Sequence, residues 1–202
     1  MRRFAGGRLV VATHNRGKLE ELADLLRGRD VELLVAGDLG LAEPEETSES
    51  FVGNARIKAH AAAQATGLPA MADDSGLCVD GLGGAPGVRT ADWAEGAGGR
   101  DFVRAMARTQ AALDRAAIPE PRRARFVCTL VIAWPDGHDE VFAGAVAGRM
   151  VWPARGDQGH GYDPIFLPDG FAQTFGEMDR WVKNRISHRA AALRQVLAAC
   201  FT

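Results

Sequence analysis

The sequence predicts an α/β fold, a long mixed β-sheet with flanking helices. Two patterns carry that prediction. In the first third, short apolar runs alternate with helical periodicity, as in units that build parallel sheets. Further on, two β-rich stretches flank Pro135-Asp136-Gly137, which marks a hairpin and hence an antiparallel pair. At 202 residues with 47% hydrophobic side chains, the chain can bury one substantial core and is read as a single domain over residues 1–202.

Residues 8–12 (Arg-Leu-Val-Val-Ala) predict the first strand, and Leu19, Leu22, Ala23 and Leu26 mark the helix after it. Residues 31–36 predict a second strand, and residues 39–49 form an acidic connection with Glu43, Glu45, Glu46 and Glu49. A helix begins near Ser50, a suitable N-cap, with Phe51, Ala55, Ala59, Ala62 and Ala63 as its apolar stripe, and Gly67 and Pro69 stop it. The next strand carries Asp73-Asp74, with Ser75-Gly76 placed to turn the chain. A Gly-rich loop over 81–99 leads to a helix over 101–117. Strands over 124–134 and 140–150 make the hairpin, and a Gly-rich loop over 156–161 follows. The last helix starts near Ser187, with Ala190, Leu193, Leu197 and Cys200 on one face.

Composition excludes several classes of function. A net charge of −2 gives no support for binding a nucleic acid polymer, so any anion site is local. No apolar run approaches a membrane span, and the basic N-terminus lacks a signal peptide's apolar region, so the expected location is cytoplasmic. Cys78, Cys128 and Cys200 sit among apolar neighbours and read as reduced core residues. No Cys-x-x-Cys or His-Glu-x-x-His pattern occurs, which argues against a zinc site.

The pair Asp73-Asp74 interrupts an otherwise apolar run. Buried carboxylates need a cation or strong donors, and Mg2+ with a substrate phosphate would supply one; a solvated Asp-Asp-Ser-Gly turn is the alternative. In a regular strand the two would face opposite sides, so both serve one metal only if the strand ends there. The Thr13-His14-Asn15-Arg16-Gly17-Lys18 loop is not a Walker A motif, yet its hydroxyl, amide, ammonium and helix-start N–H groups suit phosphate. A capped helix start with a solvated lysine is the competing explanation. Asn54 and Lys58, four apart, project from one side of their helix. Residues 159–164 hold His160, Gly161, Tyr162 and Asp163 in a glycine-lined loop. Lys183, Arg185, His188 and Arg189 fall just before or within the first turn of a helix, where the macrodipole disfavours cations; an anion or base carbonyl would explain them, and a solvated basic face is the alternative.

Taken in order, these stretches resemble the inosine triphosphate pyrophosphatase family, also called dITP/XTP diphosphatases. The resemblance rests on Ala12 to Lys18, Ser50 to Ala55 with Lys58, Ala72 to Leu77, Gly84 to Val88, Gly161 to Phe166, Thr174 to Met178, and Lys183 to Arg189, nearly the whole chain. It implies two lobes around a central substrate cleft and Mg2+-dependent hydrolysis of ITP, dITP and XTP to monophosphate and pyrophosphate. It also implies that Thr13, His14, Asn15, Arg16, Gly17, Lys18 and Lys58 hold the triphosphate. Glu45 and Asp74, with Asp73 beside them, would hold Mg2+; Asp74 would activate water; Ser75 would touch substrate. His160, Gly161, Tyr162, Asp163, Lys183, His188 and Arg189 would form the base pocket, and a homodimer is expected, with Trp93 and Trp152 as either interface anchors or core. A nucleotide sensor without turnover, or a pyrophosphatase for modified pyrimidine nucleotides, are the alternatives. The chain departs from the family pattern at His160 (usually Phe), Gly53 (usually Glu), His14 (often Gly) and Arg89 to Asp92, where a loop arginine is missing.

Overall fold

In the computed structural model, residues 1–13 and 15–201 are described, Arg16 and Leu25 by their backbone alone. Six strands form one sheet in the order β2-β1-β3-β4-β5-β6. They are β1 (Gly7–Val11), β2 (Val31–Val35), β3 (Ala70–Val79), β4 (Arg123–Ala133), β5 (Asp139–Met150) and β6 (Phe166–Pro168). The helices are α1 (Arg16–Leu26), α2 (Phe51–Thr66), α3 (Phe102–Arg115), α4 (Arg180–Ile186) and α5 (His188–Cys200). β1 pairs parallel with β2 (Val10↔Leu34) and with β3 (Val10↔Ala70), whereas β5 and β6 are antiparallel (Arg149↔Leu167). The sheet is therefore mixed, as the sequence predicts. Trp134 N–H donates to the His138 carbonyl at 2.9 Å, closing the predicted β4–β5 hairpin.

The chain divides into two compact units and changes unit within β3, β4 and β5 and at the start of α5. The first comprises Met1–Asp74, Cys128–Gly144 and Arg189–Thr202. Its sheet is covered on both faces, and the period of two sorts the side chains. Leu9, Val11, Met71, Cys128, Leu130 and Ile132 pack against Leu22 and Leu26 of α1 and Ala192, Leu193 and Val196 of α5. The alternate residues Val10, Ala12, Ala70, Ala72, Val131 and Ala133 meet Ala55, Ala59, Ala62 and Ala63 of α2. Small residues on both sides let that helix lie close. Ser50 caps α2, its side chain accepting from Gly53 N–H at 3.1 Å, and Gly67 ends it.

The second unit comprises Ser75–Val127 and Ala145–His188. Its core is rich in aromatic side chains: Phe126, Tyr162, Phe166 and Phe175 pack with Leu77, Val79, Met106 and Leu113. Full burial of side chains this large stabilises by about 1.5–3 kcal/mol each. α3 starts at its N-cap Asp101, which accepts from Arg104 N–H at 3.1 Å.

One expectation is corrected. Ser75-Gly76 does not turn the chain; β3 runs unbroken from Ala70 to Val79. Gly76 serves a close approach instead. A Cβ there would run into the Gly87 carbonyl oxygen and Thr90 Oγ1, and Thr90 Oγ1 accepts from Leu77 N–H at 3.0 Å. Short β6 and α4 were not anticipated, because three-residue and seven-residue elements leave little periodicity to read.

Gly76→Ala is expected to destabilise the protein by about 2 kcal/mol through this clash, lowering Tm by roughly 4–8 °C. Calorimetry checks this; an unchanged Tm would mean that the 87–90 segment yields without cost.

Candidate active site

In the first unit, three helices deliver polar groups to the two carboxylates of β3. The strand leads with Met71 and Ala72 on opposite faces, and Asp73 and Asp74 continue that alternation. Asp73 is buried on the α1–α5 face, where Lys18 Nζ and Arg189 Nη2 each lie 3.1 Å from its Oδ2. Arg189 Nη1 donates to Glu21 Oε2 on α1. Asp74 is buried on the α2 face, where its Oδ2 accepts from Asn54 Nδ2 at 3.2 Å. Ser48 N–H donates to Asn54 Oδ1 at 2.9 Å, so the amide nitrogen is the end left to face Asp74. Lys58, one turn further along α2, is ion-paired to Glu46.

Electrostatics single out Asp74 and Lys58. Burial, with the neighbouring Glu46 adding to it, pushes the Asp74 carboxyl up to about 6 against the opposing pull of Lys58, Lys18 and Asn54. Burial works against the Lys58 ammonium, but Asp73, the hydrogen-bonded Glu46 and Asp74 outweigh it and raise its pKa. A buried carboxylate that half-titrates near neutral pH is suited to general-base work.

The β1–α1 loop is organised by its own polar groups. Thr13 Oγ1 accepts from Asn15 N–H and Asn15 Oδ1 accepts from Lys18 N–H, each at 3.2 Å, so Asn15 is the N-cap of α1. The helix start is capped, and Lys18 is paired with Asp73 rather than left to solvent. Gly17 lies in the first turn of α1; His14 and the Arg16 side chain lie outside the described residues. Ser75 follows Asp74 in β3 and is half-buried. Of the acidic connection, Glu46 reaches Lys58, while Glu45 is exposed. Gly53, where the family pattern has Glu, faces Ser48; a Cβ there would strike the Ser48 side chain.

In the second unit, Asp163 is buried and its Oδ2 accepts from His160 N–H at 2.6 Å and from Lys183 Nζ at 2.7 Å. His160 is exposed on its Gly-rich loop, with Gly161 half-buried beside it. His188 is buried and stacks on Phe126, with ring centroids 5.0 Å apart and planes 14° from parallel. Tyr162 belongs to the core rather than to a pocket surface. Its hydroxyl donates to the Thr90 carbonyl at 3.3 Å, its ring meets Phe102 edge-on, and burial raises its phenol to about 12.

The basic run before the last helix is also corrected. Lys183 and Arg185 lie in the last turn of α4, where the macrodipole favours cations. Only His188 and Arg189 begin α5, where Arg189 donates to Glu21 and Asp73.

The Ham1 family model matches residues 9–199. The chain belongs to the Ham1 family. A dITP/XTP pyrophosphatase from Ruegeria pomeroyi is 60% identical over 200 residues, covering 99% of this chain and 98% of the relative. The dITP/XTP pyrophosphatase of Rhodospirillum centenum is 54% identical over 200 residues, with the same coverage. Among solved structures, a HAM1 protein from Coxiella burnetii superposes with a TM-score of 0.87 at 35% identity, over 95% of this chain and 96% of that one. A nucleoside-triphosphatase / dITP/XTP pyrophosphatase from Mycobacterium abscessus gives 0.73 at 38% identity, over 94% and 98%. The mixed-sheet α/β architecture is thus that of the family.

Three residues of this neighbourhood carry roles that the sequence reading did not assign. Glu21 had a legible signal, a charge beside the apolar Leu22 on the buried face of α1. Glu46 could not be chosen from its acidic neighbours, and the contact of Asn54 with Asp74 spans 20 residues.

Because the native Asp74 carboxyl titrates near 6 rather than 3.8, the folded protein holds its proton more tightly than the unfolded chain does. Stability from this group is therefore greatest below pH 3.8 and falls as pH rises through about 6, by roughly 3 kcal/mol in total. Asp74→Asn, which mimics the neutral form, should unfold at higher urea than wild type at pH 8 in chelator, and the gap should close on acidification to pH 4.

Proposed function

We propose that this protein hydrolyses deaminated purine nucleoside triphosphates (ITP, dITP and XTP) to the monophosphate and pyrophosphate, removing them from the nucleotide pool. The observation that carries the reading is Asp74: a buried carboxylate with a pKa near 6, held by Asn54 and close to the Lys58 and Lys18 charges. A relative 60% identical that is named a dITP/XTP pyrophosphatase supports the same chemistry.

In this reading Lys18, Lys58 and the N–H groups of the Thr13–Lys18 loop bind the triphosphate. Asp74 takes a proton from water as its oxygen bonds to the α-phosphorus. The bond from that phosphorus to the α–β bridging oxygen breaks, and pyrophosphate leaves with the electron pair. Lysines facing the departing oxygens neutralise the charge they gain. A positioned base contributes typically 10²–10⁴-fold.

Mg2+ is the cofactor of this reading. Asp74 and the acidic connection, Glu46 with Glu45 beside it, offer hard oxygen donors, and the like charge of Glu46 on Asp74 is a repulsion that a divalent cation relieves. Asp73 is left out of this donor set because its carboxylate serves Lys18 and Arg189. Among the described residues no group of three or more His, Cys, Asp or Glu could hold a metal, so substrate phosphate and water supply the remaining oxygens. Bound there, the ion would neutralise phosphate oxygens as charge develops.

The base is assigned to the second-unit cluster. Hypoxanthine and xanthine present a 6-oxo acceptor where adenine presents a donor, so the Lys183 ammonium and the N–H groups of the His160–Asp163 loop favour them. A site built to donate discriminates against a base that leaves its donors unpaired. His160 supplies a flat ring for stacking, and His188 backs the pocket from its stack on Phe126.

Assayed with Mg2+ and a panel of nucleotides, the protein is expected to release pyrophosphate first, fastest from ITP, dITP and XTP; orthophosphate as the initial product would sink the proposal. Asp74→Asn should lower kcat at least about 100-fold, while Lys18→Ala should weaken all triphosphates by one common factor. A homodimer belongs to the same reading. Trp152 is 48% exposed and suits an interface anchor, whereas Trp93 is covered by the Arg108 guanidinium at 4.4 Å. Sedimentation should give a dimer that Trp152→Asp weakens.

A further inference from the structure

Gly53 is the third residue of α2, and its φ does not lie in the left-handed region, so its backbone does not call for glycine. Glycine within a helix is unfavourable, and the space beside this one explains it. A Cβ at this position would overlap Ser48 Oγ and Cβ and stand 3.0 Å from Ser50 Oγ. The Ser48 hydroxyl thus fills the volume that a side chain at position 53 would take, and it does the work of such a side chain in a capping box. There the N-cap hydroxyl accepts from the third helical N–H, while a Glu or Gln at that third position accepts from the N-cap N–H. Here Ser50 Oγ accepts from Gly53 N–H at 3.1 Å, and Ser50 N–H donates to Ser48 Oγ at 3.2 Å. The two serine hydroxyls lie 3.1 Å apart. Ser48 N–H itself donates to Asn54 Oδ1 at 2.9 Å, and Asn54 Nδ2 donates to Asp74 Oδ2 at 3.2 Å. Asn54 and Asp74 are both buried.

We propose that Ser48 is a positioning residue for the Asp74 carboxylate. Paired with Gly53, its hydroxyl supplies the second half of the cap on α2 and pins residues 48–50 to the helix start; its N–H then fixes which end of the Asn54 amide faces Asp74. The inference rests on the reading above that Asp74 is the general base. The physical reason is the shape of an amide. A half-turn of the Asn54 side chain exchanges its oxygen and nitrogen, and only the nitrogen can donate to a carboxylate. A donor held at Oδ1 selects one orientation. Turned over, the amide would set its oxygen against the Asp74 carboxylate and its NH2 against the Ser48 N–H, leaving buried groups unsatisfied. A loose 48–50 connection removes that selection. The departure at Gly53 from the family's usual Glu is thereby compensated within this chain.

The test uses the full chain and three readouts: Tm, steady-state hydrolysis of ITP with Mg2+, and the Asn54 side-chain amide signals in nitrogen–proton correlation spectra, identified by their loss in Asn54→Ala. Ser48→Gly is expected to lower kcat about three- to tenfold, the range for one neutral hydrogen bond, with KM kept within about twofold. It should also lower Tm and shift the Asn54 amide signals. In an Asn54→Ala background the same change should lower Tm again yet alter kcat by less than about twofold, because its effect on turnover passes through Asn54. Gly53→Gln alone should lower Tm by collision with Ser48. Combined with Ser48→Gly it should return Tm, kcat and the amide signals toward wild type, since the introduced glutamine accepts from Ser50 N–H without adding a charge. A Ser48→Gly protein with lowered Tm but unchanged kcat and Asn54 signals would overturn the inference by making Ser48 a cap and nothing more. Additive losses in Ser48→Gly/Gly53→Gln would overturn it too. If Ser48→Gly does not fold, Ser48→Ala, which removes only the hydroxyl, takes its place in the kcat and amide measurements. Wild-type protein that releases no pyrophosphate from any nucleotide would defeat the proposed reaction; shifted Asn54 signals in Ser48→Gly would then still support the positioning, and unchanged signals would defeat it.

Discussion

Successive side chains of a strand face opposite sides of the sheet, and β3 carries two adjacent carboxylates through that rule without a break. Both are buried, so each needs compensation, and each takes its direct partners from its own face. The α1–α5 face supplies Lys18 and Arg189 to Asp73; the α2 face supplies Asn54 to Asp74 and places Lys58 nearby. Much of the first unit follows from this constraint. It accounts for a lysine bordering the alanine stripe of α2 and for an arginine at the N-terminus of α5, each unfavourable by local rules alone.

The compensation is unequal, and the inequality has chemical content. Asp73 has two cations at 3.1 Å, with Glu21 balancing one of them. Asp74 has a neutral amide as its hydrogen-bond donor, and burial, with the like charge of Glu46 added, keeps it protonated to about pH 6. One carboxylate is thus tied into ion pairs within the fold, while its neighbour is kept at a proton affinity useful near neutral pH. The cost is stability lost where Asp74 ionises, the trade expected where a site stores unfavourable electrostatics.

The second unit follows a different plan. Its polar wiring converges on one buried carboxylate, Asp163, which ties the His160 backbone and the Lys183 ammonium together within a core of Phe126, Phe166 and Phe175. Aromatic packing supplies rigidity, and Asp163 sets where the two donors point. Tyr162, adjacent in sequence, is spent on that core.

The sequence by itself determined the mixed α/β sheet, the hairpin, the cap at Ser50, and the Asp73-Asp74 pair as the polar break in a buried strand. These are local quantities, set by period, turn chemistry and composition. Only the tertiary structure decided that Ser75-Gly76 continues the strand, because the reason is the carbonyl of Gly87 pressed against it. It also decided which acidic residue of the 43–49 connection meets Lys58, that Tyr162 turns into the core, and that Arg189 answers Glu21 across 168 residues. Each of these is a pairing between groups far apart in the chain. A buried charge takes its role from the partner that neutralises it, and no period or spacing along the sequence encodes that partner.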